Sequence, residues 1–77
     1  MSNSPKKILI IEDDKALLAV LADALRAAGL DAKTADNGAD GLRQAEIDAP
    51  DIILLDILMP RMDGRAVFKS LRENPKL

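Results

Sequence analysis

The sequence predicts one α/β domain: a parallel sheet in strand order 2-1-3, layered between helices. Three observations carry that expectation. The runs Ile8-Leu9-Ile10-Ile11 and Ile52-Ile53-Leu54-Leu55 are apolar throughout, as in strands covered on both faces. Each ends abruptly in acid, at Glu12-Asp13-Asp14 and at Asp56. Segments of helical spacing alternate with the strands, so the order reads β-α-β-α-β-α. Right-handed crossovers, with the third strand beside the first and opposite the second, give the order 2-1-3.

The first strand, β1, covers residues 7–11 and is rich in β-branched side chains. Asp14 is placed to cap the helix that follows, which accounts for one acid of three. That helix, α1, is expected over 15–28, with Leu17, Leu18, Leu21, Leu25 and Ala28 at helical spacing. Gly29 suits the position just past its end. Residues 30–35 alternate, with Leu30, Ala32 and Thr34 on one side, and suit an edge strand, β2. Asp36-Asn37-Gly38 is a turn. Helix α2 is expected over 39–47, weakened by Gly41, with Leu42, Ala45 and Ile47 turned inward. Ala49-Pro50-Asp51 breaks it and leads into β3 at 52–55. Pro60 then fixes a loop, and Asp63-Gly64 offers a helix cap. Helix α3, residues 65–72, should bury Val67, Phe68 and Leu71 and show Arg65, Lys69 and Arg72 to solvent. Asn74-Pro75 stops it.

Composition narrows the chemistry. Seventy-seven residues make one small domain, spanning 1–77, and 48% hydrophobic with 31% charged residues suits a globular chain. One Phe, no Tyr and no Trp, with a net charge of −2, leave neither a base-stacking platform nor a basic footprint for nucleic acid. Without Cys there is no disulfide or thiolate zinc site, and without His no imidazole acid–base chemistry. No apolar run approaches the length of a membrane span, and no signal-type apolar region follows Lys6 and Lys7. The expected setting is cytoplasmic, with no membrane partner.

In strand order 2-1-3, the crevice outside the carboxyl ends of β1 and β3 is a topological switch point, where ligands bind in open α/β sheets. Glu12, Asp13 and Asp56 all lie at those ends. An acid closing an apolar strand is costly unless it meets a polar crevice or a cation. Three converging carboxylates call for a counter-charge, and an all-oxygen donor set selects a hard cation, Mg²⁺.

These residues closely resemble the receiver domain of two-component response regulators. The resemblance rests on Ile8-Leu9-Ile10-Ile11-Glu12-Asp13-Asp14, on Asp36-Asn37-Gly38, and on the highly specific block from Asp51-Ile52-Ile53-Leu54-Leu55-Asp56 through Ile57-Leu58-Met59-Pro60-Arg61-Met62-Asp63-Gly64. It implies a flavodoxin-like fold truncated after α3, and a signalling module, not an enzyme. It further implies that Asp56 accepts a phosphoryl group from a histidine kinase or phosphotransfer protein. Asp13, Asp56 and the backbone carbonyl of Leu58 would bind Mg²⁺, with Glu12 assisting through water. The family's phosphate-binding Lys on a fifth strand, its Ser/Thr on a fourth and its switch aromatic have no counterpart here. Lys6 and Lys7 sit at the wrong end of β1 to replace them. Arg61, close in sequence to Asp56, is a candidate cation.

Impaired phosphotransfer is therefore one expectation. The alternative is a receiver-derived structural module, assembling as a homodimer through an exposed β3 edge and the Leu17, Leu21 and Leu25 stripe of α1. A Mg²⁺-dependent phosphatase is a poorer fit. Its two aspartates alternate as D-x-D, whereas Asp13 and Asp14 are adjacent and point to opposite sides.

Overall fold

Strand β1, Lys7–Ile11, divides its side chains between two cores. Ile8 and Ile10 meet one cluster with Leu18, Ala22 and Ala32, whereas Leu9 and Ile11 meet another with Ala35, Ala45 and Val67. A strand alternates its side chains by geometry, so four consecutive apolar residues serve both faces. The computed structural model describes residues 5–56 and 64–75. Among them the sheet is parallel throughout, in order β2-β1-β3. Ile8 pairs with Ala32 and Ile52, and Ile11 with Ala35 and Leu55. That order, with β2 at Asp31–Ala35 and β3 at Ile52–Leu55, agrees with the sequence reading.

Helix α1, Lys15–Ala27, begins where Asp14 Oδ1 accepts the amides of Ala16 and Leu17, at 3.0 and 3.2 Å. Its end is closed by Gly29 at φ +90°, a conformation that side chains with a Cβ rarely adopt. Gly29 N–H donates to the Arg26 carbonyl and Leu30 N–H to the Leu25 carbonyl, both at 3.0 Å. Leu25 and Leu30 then pack on the same core, the apolar contact that accompanies this termination. Arg26 reaches across from the last turn, and its Nε and Nη2 donate to the Ala32 carbonyl of β2.

Helix α2, Gly38–Asp48, is capped by Asn37, whose side chain accepts the Asp40 amide at 2.8 Å. Ala49 ends it in the left-handed region at φ 45°, ahead of Pro50. Helix α3 spans Gly64–Glu73 and packs beside α2 on the same face.

Four burial expectations need correction. Ile47 is 73% exposed, because it follows the buried Ala45 by two positions and turns away from the sheet. Phe68 is 47% exposed; its neighbour Val67 holds the inward position, and Phe68 lies on the rim under the Arg72 guanidinium. On α1, the stripe expected to stand open is largely covered: Leu21 and Leu25 pack partly against the buried Leu18 and Ala22, and Leu17 alone of the three is exposed, at 43%. Strand β3 is covered on one face only. Ile53 and Leu55 pack toward α2 and α3, while Ile52 and Leu54 remain 48% and 42% exposed. The reason is that α1 packs over β1 and β2. The proposed cap Asp63, with Pro60, lies outside the described residues.

Gly41 stands mid-helix in α2, where glycine costs about 1 kcal/mol relative to alanine. Its place has a packing cause: a Cβ there would fall 2.6 Å from Ile11 Cδ1 and 2.8 Å from Cγ1. The missing side chain lets α2 settle onto the end of β1.

Candidate functional site

The pairing of β1 with β3 brings the acids together. Asp56 N–H donates to the Ile11 carbonyl at 3.4 Å, and Glu12 N–H donates to the Ala35 carbonyl at 3.0 Å. The carboxyl ends of β2 and β3 are therefore tied to the carboxyl end of β1. Glu12 and Asp13 are 4% and 6% exposed, and Asp56 is open to solvent. Together with Asp14, Lys15, Ala16 and Leu17 they line a cleft of about 720 Å³. The three acids expected to converge do so.

Their electrostatics are strained in one direction. Glu12 accepts the Asp14 amide at 3.1 Å, which alone would lower its pKa. Burial, side-chain hydrogen bonds to Asp13 and Asp56, and the charge of Asp56 outweigh that amide and hold the carboxyl above its ordinary range. Hydrogen bonds between carboxyl groups persist only while they share a proton.

A cation would relieve the same crowding, and the oxygen donors suit Mg²⁺. Among the described residues, however, no group of three acidic side chains forms a ready-made metal set. The Mg²⁺ ligation by Asp13 and Asp56, with Glu12 assisting, that the resemblance implies is therefore not present as a preformed set. The Leu58 carbonyl, named with them from the sequence, lies outside the described residues, as does Arg61.

Two participants escaped the sequence reading. Lys15 lines the cleft and lies 3.7 Å from Asp36 in an exposed ion pair, so a cation does border the acids. Its position directly after the acidic run was the available signal. Gly41, read only as a helix weakness, underlies β1 immediately before Glu12. Lys7 lies at the far end of the sheet, as expected, where its Nζ donates to the Asp48 carbonyl and its amide to Asp51 Oδ2. Among the described residues, no helix is long and apolar enough to cross a membrane.

Known proteins share both sequence and architecture with this chain. The family model for the response regulator receiver domain matches residues 8–77. The transcriptional regulatory protein PhoP of alkaline phosphatase synthesis in Bacillus subtilis is 40% identical over 68 residues, 88% of this chain and 28% of that protein. The transcriptional regulatory protein PrrA of Mycobacterium leprae is 44% identical over 69 residues, 90% of this chain and 30% of that protein. The N-terminal domain of a response regulator receiver protein from Methanoculleus marisnigri superposes with a TM-score of 0.85 at 30% identity. That superposition covers 91% of this chain and 57% of the other. A CheY-like receiver domain from Methylobacillus flagellatus gives 0.85 at 29% identity, over 94% and 61% of the two chains. The chain thus spans less than a third of those curated relatives and under two thirds of those solved domains. A family model matched over nearly the whole sequence, on a sheet of the same order, shows that the chain belongs to the response regulator receiver domains of two-component signalling.

Proposed function

We propose that this chain is a phosphoacceptor module, with Asp56 as the acceptor and a histidine kinase or phosphotransfer protein as the donor. The observation that carries the reading is the convergence of Glu12, Asp13 and the solvent-open Asp56 on one cleft at the switch point of the sheet. A carboxylate oxygen of Asp56 attacks phosphorus in line with the leaving imidazole. The new P–O bond forms as the P–N bond breaks, and the imidazole nitrogen departs with the electron pair. Asp13 and Asp56 would hold Mg²⁺, which when bound neutralises charge on the equatorial phosphoryl oxygens. Glu12, set back and buried, would orient that ion's water. The chain receives the group and does not turn over a substrate, so the module is not an enzyme, and the setting is cytoplasmic.

A peptide of residues 1–77 alone holds no counterpart of the family's phosphate-binding Lys and Ser/Thr, so labelling of that peptide should be slow. Intact mass after treatment with acetyl phosphate and Mg²⁺ tests this. Wild type should gain one phosphoryl group incompletely, and Asp56→Asn none. Label surviving in Asp56→Asn overturns the acceptor assignment; rapid, complete labelling overturns the impairment. Thermal melting tests the metal. Saturating Mg²⁺ should stabilise wild type, by about 2.7 kcal/mol at one hundred times Kd, and Asp13→Asn much less. No gain in wild type would mean that the crevice does not bind the ion.

A second reading, self-assembly without phosphotransfer, draws on a different observation. Ile52 and Leu54 on β3, with Leu17 and Val20 on α1, present large apolar side chains to water. On that reading a second copy of the 77-residue chain covers them as a homodimer. Among the described residues β3 is also an edge of the sheet, open to strand pairing.

A further inference from the structure

Ile11 is fully buried, and its backbone serves both neighbouring strands. Its carbonyl receives the Asp56 amide, and the residue after it is Glu12. Its side chain ends against the bare Cα of Gly41, where an added Cβ would meet Cδ1 at 2.6 Å, Cγ1 at 2.8 Å and Cγ2 at 3.2 Å. Contacts under 3.0 Å force something to move. Ile11 is fully buried in a cluster with Leu9, Ala35, Ala45 and Val67, so its side chain gives way only by disturbing these neighbours. The displacement would pass into the backbone of β1, at the point from which Glu12 and Asp56 are hung. Glycine in a helix interior is unfavourable, and a Gly→Ala change at an unconstrained helical site stabilises. Here the space is filled by the strand that carries the acids.

We propose that Gly41 is a positioning residue for the acidic site: its absent side chain lets Ile11 seat β1 at the depth that aligns Glu12, Asp13 and Asp56. The proposal rests on the reading of Asp56 as phosphoacceptor. Gly41 touches none of the acids and acts through Ile11 alone.

The test is the rate of Asp56 labelling by acetyl phosphate, in the 77-residue chain, at a temperature where circular dichroism shows each variant folded. Gly41→Ala should slow labelling at least about tenfold. Adding Ile11→Val, which removes the carbon at 2.6 Å but keeps Cγ1 at 2.8 Å, relieves the clash in part and should recover at least threefold of that loss. Leu42→Ala, on the same helix but packed against the cluster by its own side chain, controls for stability and should label at the wild-type rate once folded. Gly41→Ala labelling like wild type overturns the proposal, as does an equal slowing in Leu42→Ala. Should Gly41→Ala fail to fold, the double variant decides. Folding with labelling supports the proposal; folding without labelling, or no folding, refutes it. Wild type that takes no label at all defeats the phosphoacceptor reading itself, a different result from any of these.

Discussion

Leu54→Lys gives the sharpest test of whether the open face of β3 is an assembly surface. Leu54 is 42% exposed on the face that α1 leaves uncovered. Burying a whole leucine side chain contributes about 1.5–3 kcal/mol, so covering the exposed fraction contributes about 1 kcal/mol per chain. A symmetric dimer covers the residue twice, giving about 2 kcal/mol, or roughly a 30-fold change in Kd. Lysine adds to this, because a charge on an edge strand must be desolvated to pair. The folded monomer should tolerate the change, since the long side chain can lay its methylenes on the sheet and keep its ammonium in water. Sedimentation equilibrium across a concentration series reads the constant directly. Ile47→Lys is the control: it adds the same charge at a site 73% exposed on the outer surface of α2. Wild type should dimerise, Leu54→Lys should weaken the dimer by roughly 30-fold or more, and Ile47→Lys should leave it unchanged. Equal effects of the two lysines would refute the argument from β3. So would a wild-type chain that melts cooperatively as a monomer at high dilution.

Two further outcomes follow from single contacts. Asp14→Ala removes the acceptor of the Ala16 and Leu17 amides and should destabilise the chain by about 1 kcal/mol, read as a lower urea midpoint at unchanged slope. An unchanged midpoint would mean that another group caps α1. Glu12→Gln keeps an acceptor for the Asp14 amide but removes a charge whose pKa stands above its ordinary 4.5. A raised folded-state pKa means that the folded chain holds the proton more tightly, so this stability is present below the unfolded value and lost as pH rises through the folded one. In metal-free buffer the variant should therefore be more stable than wild type at neutral pH, with the gap closing below about pH 4.5. Urea titrations across pH check this, and a gap that widens in acid refutes it.

The sequence by itself determined the elements, the strand order and the identity of the acids. Those are local or pattern-level properties: unbroken apolar runs, helical spacing, the Asp14 and Asn37 caps, and acids placed directly after Ile11 and Leu55. Its errors lay where one apolar residue competes with its neighbour for the same space. Val67 took the inward place and left Phe68 on the rim; on α1, Leu21 and Leu25 pack beside Leu18 and Ala22 instead of standing open with Leu17. Periodicity defines a stripe, but the position of the helix over the sheet selects which side chains in it are buried. Two features belonged to the tertiary structure alone. The exposure of Ile52 and Leu54 depends on where α1 lies, over β1 and β2, and their own apolar character predicts the opposite. The role of Gly41 depends on Ile11, thirty positions away in sequence, because only a packed interior brings a helix backbone against that side chain.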